Sequence, residues 1–422
     1  LSFRMECDKQ DKYNLILKFL FFLVGFSIPF SYAFNSIAIG LLFLFSFKFF
    51  SLDKYKNDII IKIGYLPLLF FVVFLLQVLG VFYSQDINKG LSYAIQNIVF
   101  VLFPIIFFNL STYLTKDKIR LAVYGLIFGV SAILISIYIN IFIEIFKKNL
   151  EFNTLLTRFT RVGFVKYGIE EIHPPYLGIL TIFSLVVLLH VKLIKRKSLD
   201  YILRGFLFLF LGCSLYGISS IMSVIVLFIF LITSIIFLSK SIKFRILTTL
   251  SFFGIFIIIL INLNSIRIVT KDFPGNSLLG RIQWSIFKGK GDTSRPENWK
   301  SVTNVIKDNL FFGVGSDGGL KDLQSFRDPK SESFKFKHNA HNQYLEFFLR
   351  HGIVGFIIYL FMLYELIRVA FYSRNEVFIW FLITFLISSM TESYLVRQIG
   401  LTFFTFYSIL FYTYYKPKIN EF

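Results

Sequence analysis

Two histidines, His338 and His341, stand three residues apart in His338-Asn-Ala-His341-Asn342, where a long polar segment runs back into apolar sequence. Neutral imidazole accepts a proton near neutral pH, so this pair is a candidate for general-base work. If a helix begins here, the spacing puts both rings on one side of its first turn. The preceding segment, 264–340, holds thirteen Lys and Arg against eight Asp and Glu, a basic excess that suits an anionic ligand. Arginine matches lipid phosphates and pyrophosphates because its planar fork donates two parallel hydrogen bonds. Arg281 and Arg295 lie in this segment, in Arg281-Ile-Gln-Trp284 and Arg295-Pro-Glu-Asn-Trp299. A second polar stretch sets Arg158, Arg161 and Lys166 against Glu170 and Glu171, and ends in His173-Pro-Pro-Tyr176. Prolines at the first helical positions start a helix well, which leaves His173 just outside one.

The elements that must position these groups are apolar. Hydrophobic residues make up 56% of the chain and phenylalanine alone contributes 57 residues. Apolar runs of about 17–25 residues recur along it, each long enough to cross a bilayer as a helix. The fold class expected is an all-α integral membrane protein with about twelve transmembrane helices and one large, partly helical outer loop. The first run is expected to be a retained span, because no small-residue cleavage site follows it. The net charge of +19 collects in short basic clusters on every second connection. That is the positive-inside pattern of a membrane protein rather than a nucleic-acid surface, and it puts both termini in the cytoplasm. The same alternation sends 147–173 and 264–340 to the far side. The organisation expected is a nine-span bundle over 1–263 with a smaller outer loop at 147–173, a large outer loop over 264–350, and a three-span bundle over 351–422. Leu91–Phe108 and Ile246–Leu263 are two of the expected spans.

A loop of this length is usually functional. With Pro296 at its start, Ser294 as cap and Val302, Val305 and Ile306 at helical spacing, Arg295–Asp308 reads as an amphipathic helix. Phe311–Asp317 reads as a tight turn; its glycines could let backbone amides approach an anion, although a plain loop is the commoner meaning. Beyond His341, Tyr344–Leu349 forms an apolar body able to lie along the outer leaflet, with Gly352 turning the chain into the next span. Glu346 and Glu392 are alternative bases or structural carboxylates. Ser219 and Ser220 suit helix packing or capping, since no Gly-x-Ser-x-Gly elbow surrounds them. Cys7 and Cys213 suggest neither a disulfide framework nor a metal site. Asp317, Asp322 and Asp328 are too scattered for an Asp-rich metal motif.

Taken in order, Arg295-x-x-x-Trp299, Phe312-Gly-Val-Gly315, His341-Asn342-x-Tyr-Leu345 and Gly352-x-x-Gly355 resemble the periplasmic-loop signature of the O-antigen ligase/O-antigen polymerase superfamily. Weaker echoes lie in Tyr83-Ser84, Phe103-Pro104-Ile105 and His173-Pro-Pro-Tyr176. The motif core covers about sixty residues, while the topology resembles the family's over the whole chain. The resemblance implies a glycosyltransferase of the bacterial inner membrane with its site on the periplasmic side. Its donor would be a glycan on undecaprenyl pyrophosphate and its acceptor a sugar hydroxyl of lipid A–core or another glycan. It implies no metal, nucleotide or other cofactor and no nucleic-acid partner. Carried over by motif, His341 is the catalytic base and Arg295 a pyrophosphate-binding arginine. Arg161 or Arg158 would supply the family's other loop arginine, with Arg281 and His338 in reserve. Asn342, His173 and Tyr176 are secondary candidates. Many relatives carry Ser-Arg where this chain has Ser219-Ser220, so its cations are distributed differently.

A transporter or lipid flippase would also suit a twelve-span chain with a basic surface. Such proteins usually place ionisable groups mid-membrane and repeat one half in the other. The spans here are almost uniformly apolar, without a repeat, and one large loop breaks any two-half symmetry. A helix-start position for His341 would also disfavour its protonated form, as a base requires. Ligase and polymerase share a donor, and these residues do not separate them.

Overall fold

The computed structural model describes residues 2–50, 64–149, 173–218, 220–238 and 294–419. The regular elements among them are helical. In chain order they are α1 (Ser2–Ser27), α2 (Tyr32–Ser46), α3 (Leu66–Phe82), α4 (Ile87–Gln96), α5 (Val99–Leu110), α6 (Lys116–Lys147), α7 (Pro174–His190), α8 (Lys197–Ile218) and α9 (Ile221–Leu238). After them come α10 (Ser294–Asp308), α11 (Leu320–Ser325), α12 (Glu332–Lys335), α13 (Gln343–Ser373), α14 (Glu376–Ser388) and α15 (Gln398–Ile419). Among the described residues, five helical stretches are long and apolar enough to span a membrane: 32–49, 87–113, 116–147, 197–215 and 343–373. α3, α7, α14 and the 221–233 part of α9 are shorter apolar helices. The expected span Ile246–Leu263 lies outside the described residues. The expected span Leu91–Phe108 lies within the 87–113 stretch, which carries a local break: α4 ends where Asn97 folds its side-chain amide back onto the Tyr93 carbonyl at 2.7 Å, and α5 starts afresh at Val99.

The chain divides into two compact units, one built from 1–129 with 294–422 and the other from 130–293. In the first, α15 is enclosed, with every side chain from Leu401 to Thr413 buried. Phe406 meets Phe21, Phe103 and Phe107, while Phe404 stacks on Phe385 at 4.1 Å. Several of its hydroxyls find partners inside that aromatic core, while those of Ser408 and Thr413 have none among the described residues. Tyr407 donates to the Ala122 carbonyl, and Thr402 to Asn35, whose own amide donates to Ser27. Gly125 and Gly129 form a Gly-x-x-x-Gly step that lets α6 press against the α1 backbone at Phe22 and Phe26, the close approach small residues provide between apolar helices.

In the second unit α7 is buried for most of its length. Gly178 leaves room for Ser220 and Ser223, which bond each other at 2.8 Å, so Ser220 serves helix packing as its sequence context suggested.

Candidate functional site

The polar elements of the first unit have a small core of their own. Val302, Val305 and Ile306 bury one face of α10 against Val314, Leu323, Ala340 and Leu349. The amphipathic helix expected at Arg295–Asp308 is therefore present, one residue longer at its start. Leu349 joins this core and Phe347 is buried, while Tyr344 donates inward to the Leu386 carbonyl at 3.0 Å. The Tyr344–Leu349 body, expected to be able to lie along the outer leaflet, thus has protein partners in α10 and α14.

The turn carrying both histidines is fixed from three directions. Trp299 donates its indole N–H to the Ala340 carbonyl at 2.9 Å, and Asn298 donates to the Asn339 carbonyl at 2.7 Å. Buried Arg327 donates to the His338 carbonyl at 2.7 Å and to Asn298 Oδ1 at 2.6 Å. From the other side, Glu346 accepts the Ala340 N–H at 2.9 Å, and Asn339 accepts that of His341. So constrained, His341 takes φ = 46°, a left-handed conformation few non-glycine residues adopt. It does not sit in the first helical turn. Asn342 is the cap of α13, accepting from the Tyr344 and Leu345 N–H groups while its amide holds the Met390 carbonyl. The rings of His338 and His341 nevertheless meet, edge to face at 5.0 Å.

His341 Nδ1 lies 3.2 and 3.3 Å from the two carboxylate oxygens of Glu392. Glu392 belongs to the segment between α14 and α15, which is pinned to the start of α13. Gln343 donates its N–H to the Ser389 carbonyl and accepts from the Leu395 N–H, and Asn342 N–H donates to Ser393 Oγ. The Glu392 side chain keeps 9% of its surface exposed and that of His341 keeps 28%, so the carboxylate backs the ring and the ring retains the more open side. An Nδ1–H donated to the carboxylate leaves the Nε2 lone pair available. Burial pushes the Glu392 carboxyl up. The His341 hydrogen bond and charge, the Ser393 N–H and the charge of Arg295 together outweigh burial and hold it below its ordinary value. Arg295 thus acts on the same carboxylate that orients His341.

The glycine motifs close on each other. Gly313 and Gly315, at φ = 71° and 96°, lie against the α13 backbone and against Gly80 and Ser84. Val314 N–H donates to the Leu349 carbonyl at 2.9 Å and Gly315 N–H to that of Arg350 at 3.1 Å. Ser316 N–H donates to the Gly80 carbonyl, and Asp317 N–H to Ser84 Oγ. With its amides engaged this way, the turn is a docking joint, not an anion cradle. Gly352 takes φ = 61° and ψ = −165°, which breaks α13 as expected and brings Phe311 against it. Tyr83 completes the joint by donating to the Phe312 carbonyl at 2.9 Å.

Sequence reasoning undervalued the groups beneath this joint. Arg350 is buried, pairs with Glu346 at 2.7 Å, donates to the Ser316 carbonyl and covers the Tyr93 ring at 4.0 Å. Burial works against the Arg350 cation, and the Glu346 carboxylate more than offsets it. Their four-residue spacing on a helix was the available signal. Arg327 carried no such signal, and the pairing of Glu392 with His341 across 51 residues leaves no local pattern. Elsewhere, His173 precedes α7 and Tyr176 is buried within it; both belong to the second unit. Arg158, Arg161 and Arg281 lie outside the described residues.

The chain matches no curated protein. Residues 206–360 match the family model described as O-antigen ligase, a region that includes Arg295, the Gly-Val-Gly turn, His341 and the Gly352 break but stops short of Glu392. Over residues 206–360, which hold the motifs around His341, the chain is therefore similar to the O-antigen ligase superfamily.

Proposed function

We propose that this protein is an inner-membrane glycosyltransferase that moves a glycan from undecaprenyl pyrophosphate to a sugar hydroxyl of lipid A–core. His341 takes the hydroxyl proton on Nε2 as the acceptor oxygen bonds to the anomeric carbon. The bond from that carbon to the pyrophosphate breaks, and its electron pair leaves with the lipid pyrophosphate. Glu392 orients the imidazole through Nδ1 and balances the charge it gains, the role a buried carboxylate plays behind a catalytic histidine. Arg295, with Arg161, Arg158 and Arg281 from the outer loops, neutralises the departing pyrophosphate. Both termini are cytoplasmic and the site is periplasmic, in keeping with the basic clusters on alternate connections. The contact of His341 Nδ1 with the Glu392 carboxylate is the observation that carries this reading.

The test is reconstituted protein with labelled undecaprenyl-pyrophosphate glycan, offered either lipid A–core or a second glycan as acceptor. Transfer to lipid A–core, lost in His341→Ala while membrane insertion persists, is the expected result. Transfer only to the second glycan makes the protein a polymerase, and full activity of the His341→Ala protein refutes the base assignment.

A further inference from the structure

With Tyr344–Leu349 packed inward, the exposed apolar groups near the outer end of the first unit lie on other elements. Phe311 and Phe312, in the turn after α10, are 65% and 69% exposed, and Phe82, the last residue of α3, is 80% exposed. These groups share one structural level. Ile353 N–H, at the start of the apolar part of α13, donates to the Leu310 carbonyl at 2.8 Å, and Tyr83 holds the Phe312 carbonyl. The turn therefore lies where two apolar helices, α3 and α13, meet the polar elements.

α4 follows at the same level, because Asp86, its cap, donates its N–H to Asp317. Gly90, Tyr93 and Ala94 face the protein. Ile87, Leu91 and Ile95, four residues apart on another face, are exposed. Asn88, Lys89 and Ser92 form a polar third side. Clustered exposed phenylalanines beside an apolar helical stripe are unfavourable in water and favoured at a membrane interface, where such helices lie in the plane.

We propose that the Leu310–Phe312 turn, Phe82 and the Ile87/Leu91/Ile95 stripe of α4 form an interfacial anchor seated in the phospholipid of the outer leaflet. The occupant is acyl-chain lipid, because the patch is continuous with the ends of apolar helices. The anchor is coupled to α13 through the bonds of Val314 and Gly315 to Leu349 and Arg350, so it sets the depth at which the His341 end of α13 stands. The inference rests on the membrane character of the chain and not on the transferase reading.

Site-directed spin labelling tests it. In a protein carrying Cys7→Ser and Cys213→Ala, labels at Phe311→Cys, Phe312→Cys and Leu91→Cys are compared with Lys307→Cys, an exposed position of α10, after reconstitution into phosphatidylcholine–phosphatidylglycerol vesicles. Oxygen, which partitions into lipid, should collide with the first three labels several-fold more than a water-soluble nickel chelate does, with the order reversed at Lys307→Cys. Chelate access at positions 311 and 312 equal to that at 307 overturns the proposal. Exclusion of both reagents also overturns it, since protein would then cover the patch. Phe311→Trp and Phe312→Trp, which keep an aromatic side chain, provide a second reading: bromine on the acyl chains should quench the fluorescence added over the parent, and absence of quenching in folded protein counts against the anchor.

Discussion

Acid should destabilise the first unit through His351, and the size of the effect follows from where its ring is held. His351 is buried beside Phe347, ring centroids 4.9 Å apart, one residue before the break at Gly352. Among the described residues neither ring nitrogen has a hydrogen-bond partner. Burial first, and the neighbouring Arg350 cation second, push the imidazole from 6.5 down to about 3. The folded state therefore binds fewer protons than the unfolded chain. Its stability is complete above about pH 6.5 and is lost as the pH falls from there toward 3. At 1.36 kcal/mol per pH unit the loss approaches about 5 kcal/mol at the lower limit, or roughly 1.4 kcal/mol for each unit within the window. Thermal unfolding in detergent between pH 7.5 and 4, followed by tryptophan fluorescence, measures it as the difference between the parent and His351→Leu. The variant should unfold at a similar or higher temperature at pH 7.5, because a buried N–H without a partner costs about 1–3 kcal/mol. Below pH 6.5 its advantage should widen steadily. Parallel curves for parent and variant would refute the reasoning.

Four further outcomes follow from the geometry. Glu392→Gln should reduce glycan transfer by about 10²-fold or more, within the range general-base catalysis is worth, because the imidazole loses its charged partner; Glu392→Asp should recover part of the rate. Arg295→Lys keeps the charge but loses the planar fork, so the donor KM should rise severalfold; an unchanged KM would limit Arg295 to its effect on Glu392. Gly352→Ala should destabilise the protein by about 1–3 kcal/mol or more, read as a lower unfolding temperature, because its φ/ψ is essentially a glycine conformation and the Phe311 carbonyl occupies the place of a Cβ. Gly40→Ala in α2, where nothing lies within 4 Å of the new atom, should be neutral or stabilising.

Parts of the site were legible locally. The helix over Arg295–Asp308 could be read because Pro296 and the spacing of Val302, Val305 and Ile306 are nearest-neighbour signals. Gly352 announced the break in α13 because no other residue takes its conformation cheaply. The reading failed where tertiary partners decided. His341 was expected in the first turn of a helix, yet Trp299, Asn298, Arg327 and Glu346 hold its turn in a left-handed bend. Tyr344–Leu349 looked like a membrane-facing body because hydrophobicity reveals that a side chain is buried but not what buries it.

By itself the sequence determined the all-helical membrane class, the polar loop against the apolar spans, and the residue types able to accept a proton or bind a phosphate. These follow from run length, charge and side-chain chemistry, properties each segment carries wherever it is placed. Only the tertiary structure decided that α15 is enclosed, that the Gly-Val-Gly turn spends its amides on α13, and that Glu392 stands behind His341. Each depends on contacts between residues far apart in the chain. His341 and Glu392 carry their chemistry separately in the sequence, and packing brings the two side chains together.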